Sequence, residues 1–279
     1  MPESRHWDIF PSVRDVEIPS RHLGLSLDED FCFEEFADRV AELVEKHVNI
    51  NRLLELTKPV ATAVVPISAG RHTYKREPSF PIAVACDPAF NFVYEANIRY
   101  LHHLGEVTYF SPLAGTSLPD AGFVYLPGGY PELYLAALSA NRQMLQSIRR
   151  YVESGGKLLA ECGGMMYLCD EIRDKNGYVY PMAGVLHQSA TMENMKLRLG
   201  YRTLLYNETR LKGHEFHYSR LVEQQNPLPS CAVAYTAKGV ETDTPLYHYK
   251  NVWAGYTHLY WADPVGNEWF TKFVIDGNI

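Results

Sequence analysis

The sequence predicts an α/β protein with a mostly parallel central sheet, preceded by a small helical segment. Three observations predict it. From residue 79 short apolar strands alternate with helical patterns, the signature of a parallel sheet covered by helices. Residues 1–78 show a helical periodicity without that alternation. Glycine-rich turns follow apolar strands, and open α/β sheets bind their ligands at such strand ends.

The elements follow in order. A loop-like opening ends in Ile18–Leu25. One long helical pattern then places Phe33, Phe36, Val40, Leu43, Val44, Val48, Leu53 and Leu54 on a common face. Asp28, Glu29 and Asp30 precede its first turn and suit the helix dipole. Thr57-Lys58-Pro59 stops it, and the polar run Arg71–Pro78 reads as the linker that closes a small N-terminal piece at 1–78, ahead of one α/β domain at 79–279. Pro81–Ala85 is the first strand, Val93–Leu104 a helix closed by Gly105, and Val107–Phe110 and Phe123–Leu126 are further strands. Leu145, Ile148, Tyr151 and Val152 mark another helix, ended by Gly155-Gly156, from which Lys157–Leu159 starts a buried strand. After residue 197 the chain turns strand-rich at Leu199–Tyr206, His214–Tyr218, Ala232–Thr236 and Val252–Tyr256, with a last helix over about Gly266–Ile275.

Composition narrows the function classes. With 279 residues, 46% hydrophobic and 21% charged, the chain is an ordinary globular one. Its 33 acidic against 26 basic residues, without a Lys/Arg-rich block, argue against a nucleic-acid partner. No apolar run approaches the roughly 18 residues of a spanning helix, and Met1–His6 lacks a signal-peptide pattern, so no membrane partner and a cytoplasmic location are expected. Cys32, Cys86, Cys162, Cys169 and Cys231 are scattered and without paired metal-ligand spacing, so no metal site is expected. All but Cys162 have apolar neighbours and read as inert buried thiols.

Three motifs carry chemistry. In Ala160-Glu161-Cys162-Gly163-Gly164 a cysteine sits between an apolar strand and a helix start. Such an elbow projects the side chain outward beside the helix's first N–H groups, which can lower a thiol pKa. Pro127-Gly128-Gly129-Tyr130-Pro131-Glu132 follows an apolar strand. A plain turn is one reading; an exposed Gly129 N–H that forms an oxyanion hole with the Gly163 N–H is the other. A nucleophilic thiol also needs a base, and His258, at the end of a strand, competes with His187, His214 and His217 among eleven histidines.

These motifs together resemble a class I (triad) glutamine amidotransferase domain, which is flavodoxin-like. More narrowly, Ala89–Asn97, the PGGYPEL run, AECGGMMYL and Gly213–Ser219 are similar to the cobyrinic acid a,c-diamide synthase family, in that order over about residues 80–260. Pro19–Leu25 resembles the closing part of that family's synthetase domain. The resemblance implies glutamine hydrolysis through a thioester at Cys162, with His258 as base and Gly129 and Gly163 as oxyanion hole. It places Tyr130 and His217 on the glutamine side of the pocket. Ammonia would then amidate a corrinoid carboxylate at a separate synthetase domain that uses ATP and Mg²⁺; this chain needs no cofactor of its own. A homodimer is compatible with this reading. Two departures stand out. Tyr260 occupies the position, two after the histidine, where many triad enzymes carry a glutamate, and the cobyrinate branch shares that loss. No Gly-x-x-x-x-Gly-Lys-Ser/Thr run is present. The competing readings are a non-catalytic module on the same fold, and the same chemistry serving another tetrapyrrole.

Overall fold

The computed structural model describes residues 32–57 and 80–276, with Val16 and the paired two-residue strands β1 (Ser20–Arg21) and β2 (Gly24–Leu25). The chain divides into two compact units, Met1–His72 and Thr73–Ile279. Asp28–Asp30, the run Arg71–Pro78 and the boundary drawn at residue 78 lie outside the described residues.

In the first unit the single helical periodicity becomes two helices, α1 (Phe33–His47) and α2 (Ile50–Leu56). Val48 and Asn49 leave the helical region between them. The Asn49 carboxamide oxygen accepts from the Arg52 N–H at 2.9 Å and caps the second helix. The apolar stripe runs across this break, so periodicity alone could not reveal it. Thr57 ends α2 at the expected stop.

The second unit opens with β3 (Pro81–Ala85), α3 (Glu95–Leu104), β4 (Glu106–Phe110) and β5 (Phe123–Leu126). Next come α4 (Leu135–Ala140), α5 (Arg142–Glu153), β6 (Lys157–Glu161) and α6 (Gly163–Leu168). Three short strands follow: β7 (Glu171–Arg173), β8 (Val179–Pro181) and β9 (Ser189–Thr191). The strand-rich part comprises β10 (Arg198–Tyr206), β11 (Thr209–His217), β12 (Arg220–Leu221), β13 (Val233–Thr236), β14 (Glu241–Thr242), β15 (Leu246–Tyr249), β16 (Val252–Gly255) and β17 (His258–Leu259). Helix α7 (Pro264–Thr271) comes last, its N–H of Gly266 held by the Asp263 carboxylate at 2.7 Å.

The central sheet has the order β15-β16-β6-β5-β3-β4. All neighbours pair in parallel except the edge pair β15–β16. Numbered along the chain, its five parallel strands run 2-1-3-4-5, the doubly wound order of flavodoxin-like folds. Both faces are covered at β3, β5, β6 and β16, which is why they read as apolar runs, while the edge strand β4 is largely exposed. Ala83 and Ala85 face one core with α5 and α6; Ile82 and Val84 face the other with α3 and α7.

A second, antiparallel sheet runs β14-β13-β10-β11-β17, and a third β12-β9-β7-β8. The β10–β11 hairpin turns through Asn207 and Glu208, both at positive φ (42° and 67°), a turn of the twist-matching primed kind. The second sheet matters because it ends on β17, which carries His258 to the carboxyl edge of the central sheet.

Candidate active site

Cys162 leaves β6 at φ 48° and ψ −106°, a region that side-chain-bearing residues rarely occupy. Its N–H donates to Gly255 O at 2.7 Å, the carbonyl at the end of the neighbouring β16, and its carbonyl accepts from Met166 N–H in α6 at 3.0 Å. The strained residue is thus pinned from both sides. Its Sγ lies 3.9 Å from Phe216 O on β11.

The two amides expected to form the oxyanion hole lie side by side. A methyl added to Gly163 would sit 3.3 Å from Gly129 N. Gly129 itself is at φ +155°, and a Cβ there would meet Ala89 O at 2.2 Å, so only glycine fits. This loop is tied to the one after β3: Tyr130 N–H donates to Ala89 O (2.9 Å) and Phe92 N–H to Gly128 O (3.0 Å). Asp87 shapes that partner loop. Its carboxylate accepts from Ala89 N–H at 2.8 Å, Ser111 Oγ–H at 2.8 Å and Leu113 N–H at 2.9 Å.

His258 stands on β17 opposite His214 on β11. It is buried, with the Phe92 ring 4.5 Å away and His214 stacked on it at 4.9 Å. The strand is clamped by Asn97, a wholly buried residue of α3. The Asn97 Nδ2–H donates to Leu259 O (2.8 Å), and its Oδ1 accepts from Trp261 N–H (2.9 Å). Glu161, the neighbour of Cys162, accepts from Leu259 N–H (3.0 Å) and from the Tyr125 hydroxyl (2.7 Å). Its Oε2 lies 4.0 Å from His258 Nδ1.

The electrostatics differ from the sequence expectation in one respect. The elbow was expected to lower the thiol pKa; instead burial pushes Cys162 well above the ordinary range, and the nearby Glu132, Glu161 and Glu215 carboxyls push the same way. The Gly163 N–H pulls it down, but one amide cannot offset desolvation of a thiolate. Burial, with His214 and His217 adding to it, lowers His258 to about 3. Both shifts favour the neutral forms, a thiol at Cys162 and an imidazole at His258.

A labelling experiment follows from this. The thiolate is the form that alkylates, and a raised pKa lowers its fraction at neutral pH, so Cys162 should react slowly with iodoacetamide at pH 7 and faster as pH rises. Cys32 and Cys86 should label first. Both are exposed, contrary to the expectation of inert buried thiols: Cys32 precedes α1, which has no buried residue, and Cys86 lies just past the buried end of β3. Peptide mapping that found Cys162 labelled first at pH 7 would contradict this account.

The remaining expected residues divide. His217 is buried, stacked 3.7 Å on the Tyr256 ring, and placed 3.2 Å from a Glu215 oxygen. Burial pushes the Glu215 carboxyl up, yet His217, Arg202 and Thr244 outweigh it and hold it below its usual value. Glu215 and His217 line a cavity of about 310 Å³ that also carries Arg198, Arg220 and Asp243, charges of both signs. Phe216, whose carbonyl faces Cys162 Sγ, lies between them in sequence. Tyr130 is half-buried next to Pro131, whose ring abuts Gly163. Of the competing histidines, His214 joins the site, while His187 is exposed and pairs with Asp170 at 3.3 Å. Among the described residues no group of three or more His, Cys, Asp or Glu side chains could hold a metal ion, and no helix is long and apolar enough to cross a membrane.

The family of CobB/CobQ-like glutamine amidotransferase domains matches residues 81–265. Among curated relatives, a hydrogenobyrinate a,c-diamide synthase of Stutzerimonas stutzeri (strain A1501) is 36% identical over 95% of this chain and 60% of its own length. A cobyrinate a,c-diamide synthase of Picrophilus torridus is 36% identical over 88% of this chain and 54% of its own. The chain thus spans a little over half the length of these relatives. Among solved structures, a glutamine amidotransferase shares 16% identity at a TM-score of 0.45, covering 69% of this chain and 98% of that one. The match over residues 81–265, which takes in the Cys162 elbow, the Gly128-Gly129 loop and the strand carrying His258, shows that the chain belongs to the family of CobB/CobQ-like glutamine amidotransferase domains.

Proposed function

We propose that this chain is the glutamine-hydrolysing, ammonia-generating part of an ATP-dependent cobyrinic acid a,c-diamide synthase of cobalamin biosynthesis, acting in the cytoplasm. The observation that carries the reading is the strained Cys162 elbow next to the paired Gly129 and Gly163 amides, with the buried His258 against the adjoining Gly128. Glutamine enters with its side-chain carbonyl against the two amides. Its α-ammonium and α-carboxylate are matched by the mixed charges of the cavity beside Glu215 and His217.

The steps balance simply. The Cys162 Sγ–H proton passes to His258, and the thiolate adds to the amide carbon. The oxyanion that results is held by Gly129 and Gly163. His258 returns the proton to the departing nitrogen, which leaves as ammonia and a glutamyl thioester. Water, deprotonated by His258, then releases glutamate and restores the thiol. The raised thiol pKa is no obstacle, because the proton passes to His258 as the thiol adds and the charge ends on the oxyanion, which the two amides hold.

Use of the ammonia belongs to the part of the relatives' length that this chain does not span, where ATP and Mg²⁺ would activate a corrinoid carboxylate. Relatives carry the names of both the cobalt-containing and the metal-free acceptor, and the glutaminase site meets neither. The purified chain should release glutamate from glutamine, and His258→Ala should lower turnover by about 10²-fold or more. Wild-type turnover equal to that of His258→Ala, in a variant that folds normally, would overturn the reading.

A further inference from the structure

We infer that Glu161 is the positioning carboxylate of His258, taking the place of the acid that Tyr260 does not supply. The inference rests on the glutaminase reading and deepens it. Three observations carry it. First, Glu161 is almost fully buried: burial raises its carboxyl to about 8, the Tyr125 and Leu259 donors pull it back toward the charged form, and burying an unneeded carboxyl at the end of a core strand is costly. Second, its two oxygens tie together the three strand ends that build the site. It is covalently next to Cys162 on β6, it accepts from Tyr125 on β5, three residues before Gly128, and it accepts from Leu259 N–H, the residue after His258. Third, His258 Nδ1 is buried without a hydrogen-bond partner, and Glu161 Oε2 lies 4.0 Å from it.

A buried ring nitrogen without a partner is uncommon, because it forfeits its hydrogen bond to water. Catalytic hydrogen bonds are often long in empty sites and tighten on substrate binding. Glu161 is held by its two donors and His258 by Phe92 and His214, so a small closure of about 1 Å, shared between the two side chains, brings Nδ1–H onto the carboxylate. That contact selects the tautomer whose Nε2 is free to take the thiol proton, and it stabilises the imidazolium that forms as the thiolate develops. No covalent bond to Glu161 forms or breaks. Tyr260 cannot serve: it is partly exposed and packs edge-on against Tyr94 at 5.7 Å.

The test compares wild type, Glu161→Gln and Glu161→Asp of the same chain in glutamate release and in the ring-nitrogen NMR signals of His258, assigned by difference from His258→Gln. Glu161→Gln should lower kcat by about 10²- to 10³-fold with KM within threefold, and His258 should shift from the Nδ1–H to the Nε2–H tautomer. Glu161→Asp, which keeps the carboxyl, should recover part of the loss. An unchanged His258 tautomer in Glu161→Gln, or kcat within threefold of wild type, overturns the assignment. A purely structural Glu161 would lower the melting temperature while leaving the tautomer of the folded fraction untouched. Failure of the glutaminase reading looks different, because then wild type itself turns over no glutamine.

Discussion

Cys162→Ala is expected to abolish glutamine hydrolysis, a loss of about 10⁴-fold or more, with little change in folding. The size of the effect follows from the chemistry. Without the thiol no acyl intermediate forms, and the remaining amides and imidazole can only orient water. The folding expectation follows from the backbone. Cys162 is held at φ 48° by hydrogen bonds from its own N–H and carbonyl, to Gly255 and from Met166, and alanine keeps both. The hydrogen-bond contact of its Sγ, 3.9 Å to Phe216 O, is weak. Glutamate release measured beside a melting curve checks both halves. A folded Cys162→Ala with wild-type turnover would leave no role for the elbow.

Gly128→Ala should produce the second largest loss, about 10²- to 10³-fold in kcat, through sterics alone. A Cβ at this position would lie 2.2 Å from His258 Cε1 and 3.0 Å from Nδ1, far inside van der Waals contact. The ring cannot swing away freely, because Phe92 packs against it and His214 is stacked on it. Either the base is displaced or the oxyanion loop is, and a misplacement of about 1 Å in such a site costs on the order of 10²-fold. Overpacking should also destabilise the fold by about 1–3 kcal/mol. Steady-state kinetics and denaturant unfolding of the same preparation separate the two effects. A Gly128→Ala enzyme within twofold of wild type would show that the loop and the histidine do not meet as described.

The strands that position the site were legible because each is buried on both faces. Pro81–Ala85 and Phe123–Leu126 are apolar at nearly every position, and that leaves little room for another reading. The elbow was legible for a related reason: a polar residue followed by two glycines interrupts an apolar run. What stayed hidden depends on partners far away in the chain. Asn97 looks like an ordinary surface residue of α3, yet its side chain reaches Leu259 and Trp261. The β10–β11 hairpin turns on Asn-Glu instead of the Asn-Gly that announces such turns, and β7, β8 and β9 have three residues each, too few for a pattern. Glu161 left a signal that could have been taken further, since a carboxyl closing the apolar strand Lys157–Glu161 is an anomaly in a core. The thiol pKa was misjudged because the helix-end amide is visible in sequence, whereas the desolvation that outweighs it is a property of the folded interior.

The central claim is that Cys162 attacks the glutamine side chain. Its most direct test is covalent capture with a glutamine-like chloroketone or diazoketone, followed by mass-spectrometric mapping of the modified residue. The account predicts one adduct on Cys162, formed at neutral pH despite slow iodoacetamide labelling, blocked by excess glutamine and matched by loss of glutaminase activity. An adduct on Cys32 or Cys86 with Cys162 unmodified and hydrolysis intact would contradict it.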